Sequence, residues 1–289
     1  MSLIAQLRSL SLQPVESTNG LILPFRTRLP QSLRRVPFTD PCLMLILQGE
    51  KQLHPAAHPP QQLPAGRMLL IPAGCELTFT NQPDEHCQYL AWVISLPADD
   101  LLPLGRGPVS RELQNFHSDP LLLTLMQQWL QLQPQLSDPQ QLLQARRREI
   151  TQRLIELGYS AELRSGLQQQ LSRRVQTVVS EDLSHDWQIA EVCQRLAVSE
   201  STLRRKLSDE QRSFRDLLSQ LRLTQGLNLL QTTSLSVQQV ADACGYRSAS
   251  RFSERFRERF GTSPGELRQS QDPETLIRQT TVSGLTLTV

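Results

Sequence analysis

Residues 237–264 read VQQVADACGYRSASRFSERFRERFGTSP, and this stretch decides the architecture of the second half of the chain. Val237, Val240, Ala241 and Cys244 share one helical face, Gly245-Tyr246 breaks it, and Phe252, Phe256 and Phe260 recur at i, i+4 and i+8 on a following helix. Two helices joined by a tight turn make a helix-turn-helix pattern. The same spacing occurs 48 residues earlier in Ile189, Val192, Cys193 and Leu196, with Ala197-Val198 at the turn and a second helix from Ser199. An internal repeat is a stronger signal than either copy alone. Ser213 with Asp216, Ser236 with Gln239, and Ser263 with Glu266 supply helix starts, the last with Pro264 at the first helical position. Apolar residues at 214, 217, 218, 221 and 227 predict a spacer helix from Phe214 to Leu230. At 1.5 Å per residue it is about 24 Å long, enough to place two recognition helices in successive major grooves roughly 34 Å apart.

The rest of the chain has another character. Its 289 residues are 38% hydrophobic and 20% charged, the composition of a folded protein of about two domains. The longest apolar runs, Cys42–Leu47 and Leu121–Met126, fall far short of a membrane span, so no membrane role is expected, and an odd number of cysteines without a C-x-x-C pair fits a reducing cytoplasm. The first residues, MSLIAQLRSLSLQP, predict a short amphipathic helix and not a signal peptide. Of 19 prolines, 14 lie in the first 108 residues and none lies between Gln140 and Ser263. Before residue 100 the runs CLMLIL, RMLLIP, ELTFT and YLAWVIS, bounded by turn signals, predict a small β-barrel or sandwich. Leucines between Ser118 and Tyr159 predict two helices, either a dimer interface or a cap on the barrel. The polar stretch after Gly158 suits a joint. The division expected is 1–160, a linker at 161–170, a helical domain at 171–270 and a tail at 271–289, an α+β chain. The tail's Thr280–Val289 alternates like a strand.

Charge and reactive residues narrow the function. The net charge is only +2, yet 28 arginines stand against two lysines, Lys51 and Lys206, and arginine suits phosphate and base-edge recognition. Residues 166–270 carry 15 basic against 12 acidic residues, whereas residues 1–165 balance at 14 each. The cysteines at 42, 75, 87, 193 and 244 form no C-x-x-C pair, and the histidines at 54, 58, 86, 117 and 185 no H-x-H group, so neither a metal nor a cofactor is expected. Cys75 and Cys87 are either inert thiols or redox or aldehyde sensors. No cysteine cluster, metal triad or pair of acids suggests catalysis.

At this point a resemblance enters. Ala243 to Pro264 resembles the signature of the AraC/XylS family of bacterial transcription regulators, and VSESTLRRKL at 198–207 with SFRDLL from Ser213 fits that family's first unit. More weakly, PCLMLILQGEK at 41–51 resembles the P-S-L-C-L-V-L-Q-G-x-K pattern of a cupin-like regulatory domain in that family. The resemblance implies an N-terminal cupin-like β-barrel with a helical dimerisation segment, then an all-α domain with two helix-turn-helix units. By position, Ser201, Arg204 and Arg205 lie on the exposed face of the first recognition helix, and Ser250, Arg251, Glu254 and Arg255 on that of the second. Each of Arg204 and Arg205 can take a guanine edge, and Glu254 either accepts from cytosine or orients Arg251 or Arg255. Arg257, with the helix starts near Val237 and Ser263, suits phosphate. The expected partners are a double-stranded DNA operator, RNA polymerase, a second copy of the chain and a small-molecule effector. The alternatives are control by a protein partner alone, or an enzyme carrying a DNA-binding tail.

Overall fold

A computed structural model describes residues 3–11, 21–56, 59–136, 140–167, 170–210 and 212–271. The chain forms two compact units, the first running to Leu167 and taking in residues from Gln269, the second running from Gln168 to Arg268.

The first unit opens with α1 (Leu3–Ser11), the amphipathic helix expected from its leucine spacing, with Leu7 fully buried. Nine antiparallel strands follow: β1 (Leu23–Thr27), β2 (Gln31–Phe38), β3 (Cys42–Gln48), β4 (Glu50–Leu53), β5 (Gln61–Pro64), β6 (Arg67–Ile71), β7 (Cys75–Gln82), β8 (Tyr89–Ser95) and β9 (Gln114–His117). They form a five-stranded sheet in the order β1-β8-β3-β6-β9 and a four-stranded sheet in the order β2-β7-β4-β5, a cupin-like double sheet. The run CLMLIL is apolar throughout because both faces of β3 are covered. Leu43, Leu45 and Leu47 meet helical side chains, and the residues between them face the other way by strand alternation and are buried too. The helices on that outer face are α2 (Ala98–Leu101), α3 (Pro120–Leu132) and α4 (Gln140–Glu156), which contribute Leu101, Leu122, Met126, Trp129, Ile150 and Leu154. Asp119 caps α3 by accepting from the Leu121 and Leu122 amides, and Arg153 of α4 grips the same carboxylate at 2.7 Å. Those contacts hold the Asp119 carboxyl below the ordinary aspartate range.

The segment read from its polarity as a joint beginning at 161 is helical and packed as far as Leu167. In α5 (Ser160–Arg164) Leu163 is buried, and Ser165 Oγ accepts from the Ala73 amide at 2.7 Å. Ser165 and Glu162, whose Oε1 accepts from Gln114 Nε2 at 3.0 Å, face partners on the first unit, which is why a polar composition misleads there. His58, in the histidine- and proline-rich stretch, and the strand-like tail at 280–289 lie outside the described residues.

Inside the four-stranded sheet one row is polar. Register pairs Gln31 with Asn81 and Asn81 with Lys51, placing three polar residues side by side on β2, β7 and β4. Lys51 is 2% exposed, its Nζ donates to Asn81 Oδ1 at 2.5 Å, and it sits 3.5 Å from the Phe79 ring centroid. Asn81 Nδ2 donates in turn to Gln31 Oε1 at 3.2 Å.

The described residues of the second unit form the helices α6 (Gln170–Ser180), α7 (Ile189–Leu196), α8 (Glu200–Asp209), α9 (Phe214–Thr232), α10 (Val237–Ala243), α11 (Ala249–Phe260) and α12 (Pro264–Ser270). All three expected helix starts carry their hydrogen bonds. Ser213 Oγ accepts from the Asp216 amide, Ser236 and Gln239 form a complete capping box, and Ser263 and Glu266 bond reciprocally. Ser199 and Ser248 cap α8 and α11 in the same way.

Each repeat has a left-handed residue at its turn, with φ 53° at Ala197 and 71° at Gly245. Alanine strains in that left-handed region and glycine does not. Ala197→Gly is therefore expected to stabilise the second unit by about 0.5–1 kcal/mol, read as a higher urea midpoint of the full chain. The second copy has one more residue between this turn and its helix cap, Ser248 standing three residues beyond Gly245 where Ser199 stands two beyond Ala197.

Candidate nucleic-acid interface

Each recognition helix buries one face and leaves the other charged. In α8, Leu203 and Leu207 are buried while Ser201, Arg204 and Arg205 are exposed. In α11, Phe252, Phe256 and Phe260 are fully buried, and Ser250, Arg251, Glu254, Arg255 and Arg257 are exposed. The phenylalanine rings stack down the inner face at centroid separations of 5.5 and 4.7 Å, which places them in the core and out of reach of a base. Cys193 and Cys244 are buried at the seams where their helices meet, and burial pushes the Cys244 thiol up to about 12. They are packing groups.

Arg204, Arg251 and Arg255 line one open cleft of about 1350 Å³ in this unit, together with Arg215, Arg222 and Arg247. Six guanidinium groups there face only three carboxylates, those of Asp186, Asp216 and Asp242. Such a cleft concentrates positive potential where a phosphodiester strand would run between two recognition helices. Ser201, Arg205, Ser250 and Glu254 are on the exposed faces but outside that lining, and Arg257 points toward α12, its Nη2 4.0 Å from Glu266. Arg215, Arg222 and Arg247 were not singled out in the sequence. Arg247 immediately precedes the Ser248 cap and was the one most open to being found; the other two are brought to the cleft only by folding.

Two of these arginines carry ion pairs along their own helices. Arg204 donates through Nε and Nη2 to Glu200 Oε1 at 2.8 and 2.6 Å, one helical turn back, and Arg255 Nη1 donates to Glu258 at 2.9 Å. Exposed pairs of this kind contribute little stability.

Residues 192–270 match the helix-turn-helix domain family. The second unit carries a helix-turn-helix domain. Over 103 residues it is 35% identical to the HTH-type transcriptional regulator GadX of Escherichia coli K12, covering 36% of this chain and 38% of that one. Over 94 residues it is 38% identical to the regulator YdeO of Shigella flexneri, covering 32% and 37%. The chain thus spans less than two fifths of the length of these relatives. Across both units, the crystal structure of fatty-acid-bound ToxT from Vibrio cholerae strain SCE256 shares the fold at a TM-score of 0.60 and 14% identity, covering 87% of this chain and 95% of that one. That likeness is one of fold: a double sheet followed by a helical unit with two helix-turn-helix repeats. Among the described residues no helix is long and apolar enough to cross a membrane.

Proposed function

We propose that this chain is a sequence-specific, DNA-binding transcription regulator that lays α8 and α11 into successive major grooves, under the control of its first unit. The observation that carries the reading is the pairing of two serine-capped, arginine-faced helices at one guanidinium-lined cleft. Arg204, Arg205, Arg251 and Arg255 read base edges, with Ser201, Ser250 and Glu254 beside them, and Arg257 holds phosphate. The chain works in the cytoplasm as a homodimer, changing operator occupancy or contact with RNA polymerase, and is not an enzyme. GadX and YdeO, named as transcriptional regulators, support the first part. The fatty acid bound by ToxT supports a small-molecule effector for the first unit.

The test is selection of operator fragments by the full-length protein at about 150 mM salt, where non-specific binding fades. On the selected site Arg204→Ala and Arg251→Ala should each cost about 1–3 kcal/mol, with a smaller loss on random DNA. Equal loss on every duplex would remove these residues from base reading. A protein-controlled regulator would differ in showing no rise in melting temperature with any small acid screened against the full chain.

A further inference from the structure

Arg222 lies midway along α9, and its guanidinium is committed within the protein. Nε donates to the Leu183 carbonyl at 3.0 Å and Nη2 to the His185 carbonyl at 2.7 Å. Both carbonyls belong to the turn that leads into α7, a turn closed on itself by the Trp187 indole donating to Asp182 O at 2.7 Å. The second repeat presses on the same point. A Cβ at Gly245 would lie 2.6 Å from Leu183 O and 2.8 Å from Arg222 Nη2, and φ there is 71°. Only a residue without a side chain lets the turn of the second helix-turn-helix come this close.

Tyr246 follows and meets the Phe252 ring edge-on at 5.3 Å. Phe252 rests in turn against Gly226 of α9, where a Cβ would stand 2.6 Å from the ring. The approach to α7, the spacer α9 and the turn before α11 therefore converge on one guanidinium. A planar fork with donors in fixed directions holds two carbonyls at a set angle, which a lysine ammonium on a flexible stem does not.

We propose that Arg222 is a positioning residue that fixes the orientation of α8 relative to α11, and so the separation of the two base-pair blocks that the chain accepts. This rests on the two-groove reading above. One base pair inserted between the blocks moves the second by about 3.4 Å and turns it by about 35° around the duplex, which a locked pair of helices cannot follow.

The experiment uses the full-length chain and the duplex it selects, with zero, one or two base pairs inserted between the blocks. Wild type should lose about tenfold or more in affinity per insertion, the scale of losing one block's base contacts. Arg222→Lys keeps a positive charge in the cleft and should cut that penalty to about threefold or less. Gly245→Ala, which pushes the two turns apart, should shift or broaden the preferred spacing. The outcome that overturns the proposal is an unchanged spacing penalty in Arg222→Lys with Arg222→Ala weakening all duplexes alike, since Arg222 would then hold phosphate. If wild type selects no two-block site, the two-groove reading itself falls. A selected site with an unaltered penalty removes only the role of Arg222.

Discussion

Phe256→Ala is expected to unfold the second unit at temperatures where the wild type is fully folded. Phe252, Phe256 and Phe260 are all 0% exposed and form a continuous stack, so removing the middle ring leaves a cavity with neighbours on both sides. Truncation of a buried phenylalanine costs about 3–5 kcal/mol, a large share of the 5–15 kcal/mol that holds a typical domain together. The loss should show first as a lower urea midpoint, and then as equal loss of binding to selected and random DNA. That equality separates it from Arg251→Ala, for which the proposed base reading expects a larger loss on the selected site than on random DNA. Phe256→Leu keeps most of the volume and should recover the greater part of the stability. A midpoint for Phe256→Ala close to wild type would show that the stripe is not the core of this unit.

Some of this architecture was written in the sequence because several signals coincide at the same residues. The start of α10 carries an apolar spacing of 3.6 and a serine-glutamine capping box together, and α11 carries its phenylalanine stripe. Strands β3, β6 and β8 were legible as unbroken apolar runs because both faces are buried. Strand β2 was not. Its burial alternates only as far as Leu33, where a bulge at Arg34 and Arg35, with φ 48° at Arg35, slips the register before Val36. Strand β9 has four residues at a sheet edge, too few for a period to be read.

The candidate site divides in the same way. The faces of α8 and α11 followed from helical geometry, whereas the convergence of Arg204, Arg222 and Arg251 on one cleft follows from the angle between helices, which no local spacing encodes. Ala197 hides its left-handed backbone because alanine is not a residue that marks such turns. Lys51 was visible as one of only two lysines, but nothing local announced that it points inward.

That inward lysine gives the first unit a stability that should rise with pH. Lys51 is surrounded by Asn81, Phe79 and Tyr89, none of which carries a charge near neutrality, and burial pushes the Tyr89 phenol upward and keeps it protonated. Burial holds the Lys51 amine well below its ordinary value of 10.5, because an ammonium there has exchanged water for one amide oxygen and a ring face. Between the folded value and 10.5 the unfolded chain binds the proton more tightly than the folded chain does. Stability therefore climbs as pH rises through that window, by at most about 1.4 kcal/mol per pH unit for one proton. The buried Cys42 thiol, raised by the same desolvation, adds an opposing slope only above its unfolded value near 9, so the comparison belongs between pH 6.5 and 8.5. Lys51→Met removes the titrating group. It also leaves Asn81 Oδ1 without its donor, a loss that does not depend on pH and so shifts the whole curve without tilting it. The expected result is a full-chain urea midpoint that rises with pH in wild type and rises less in Lys51→Met, so that wild type gains on the variant toward pH 8.5. Parallel curves would mean that the folded amine does not release its proton in this range.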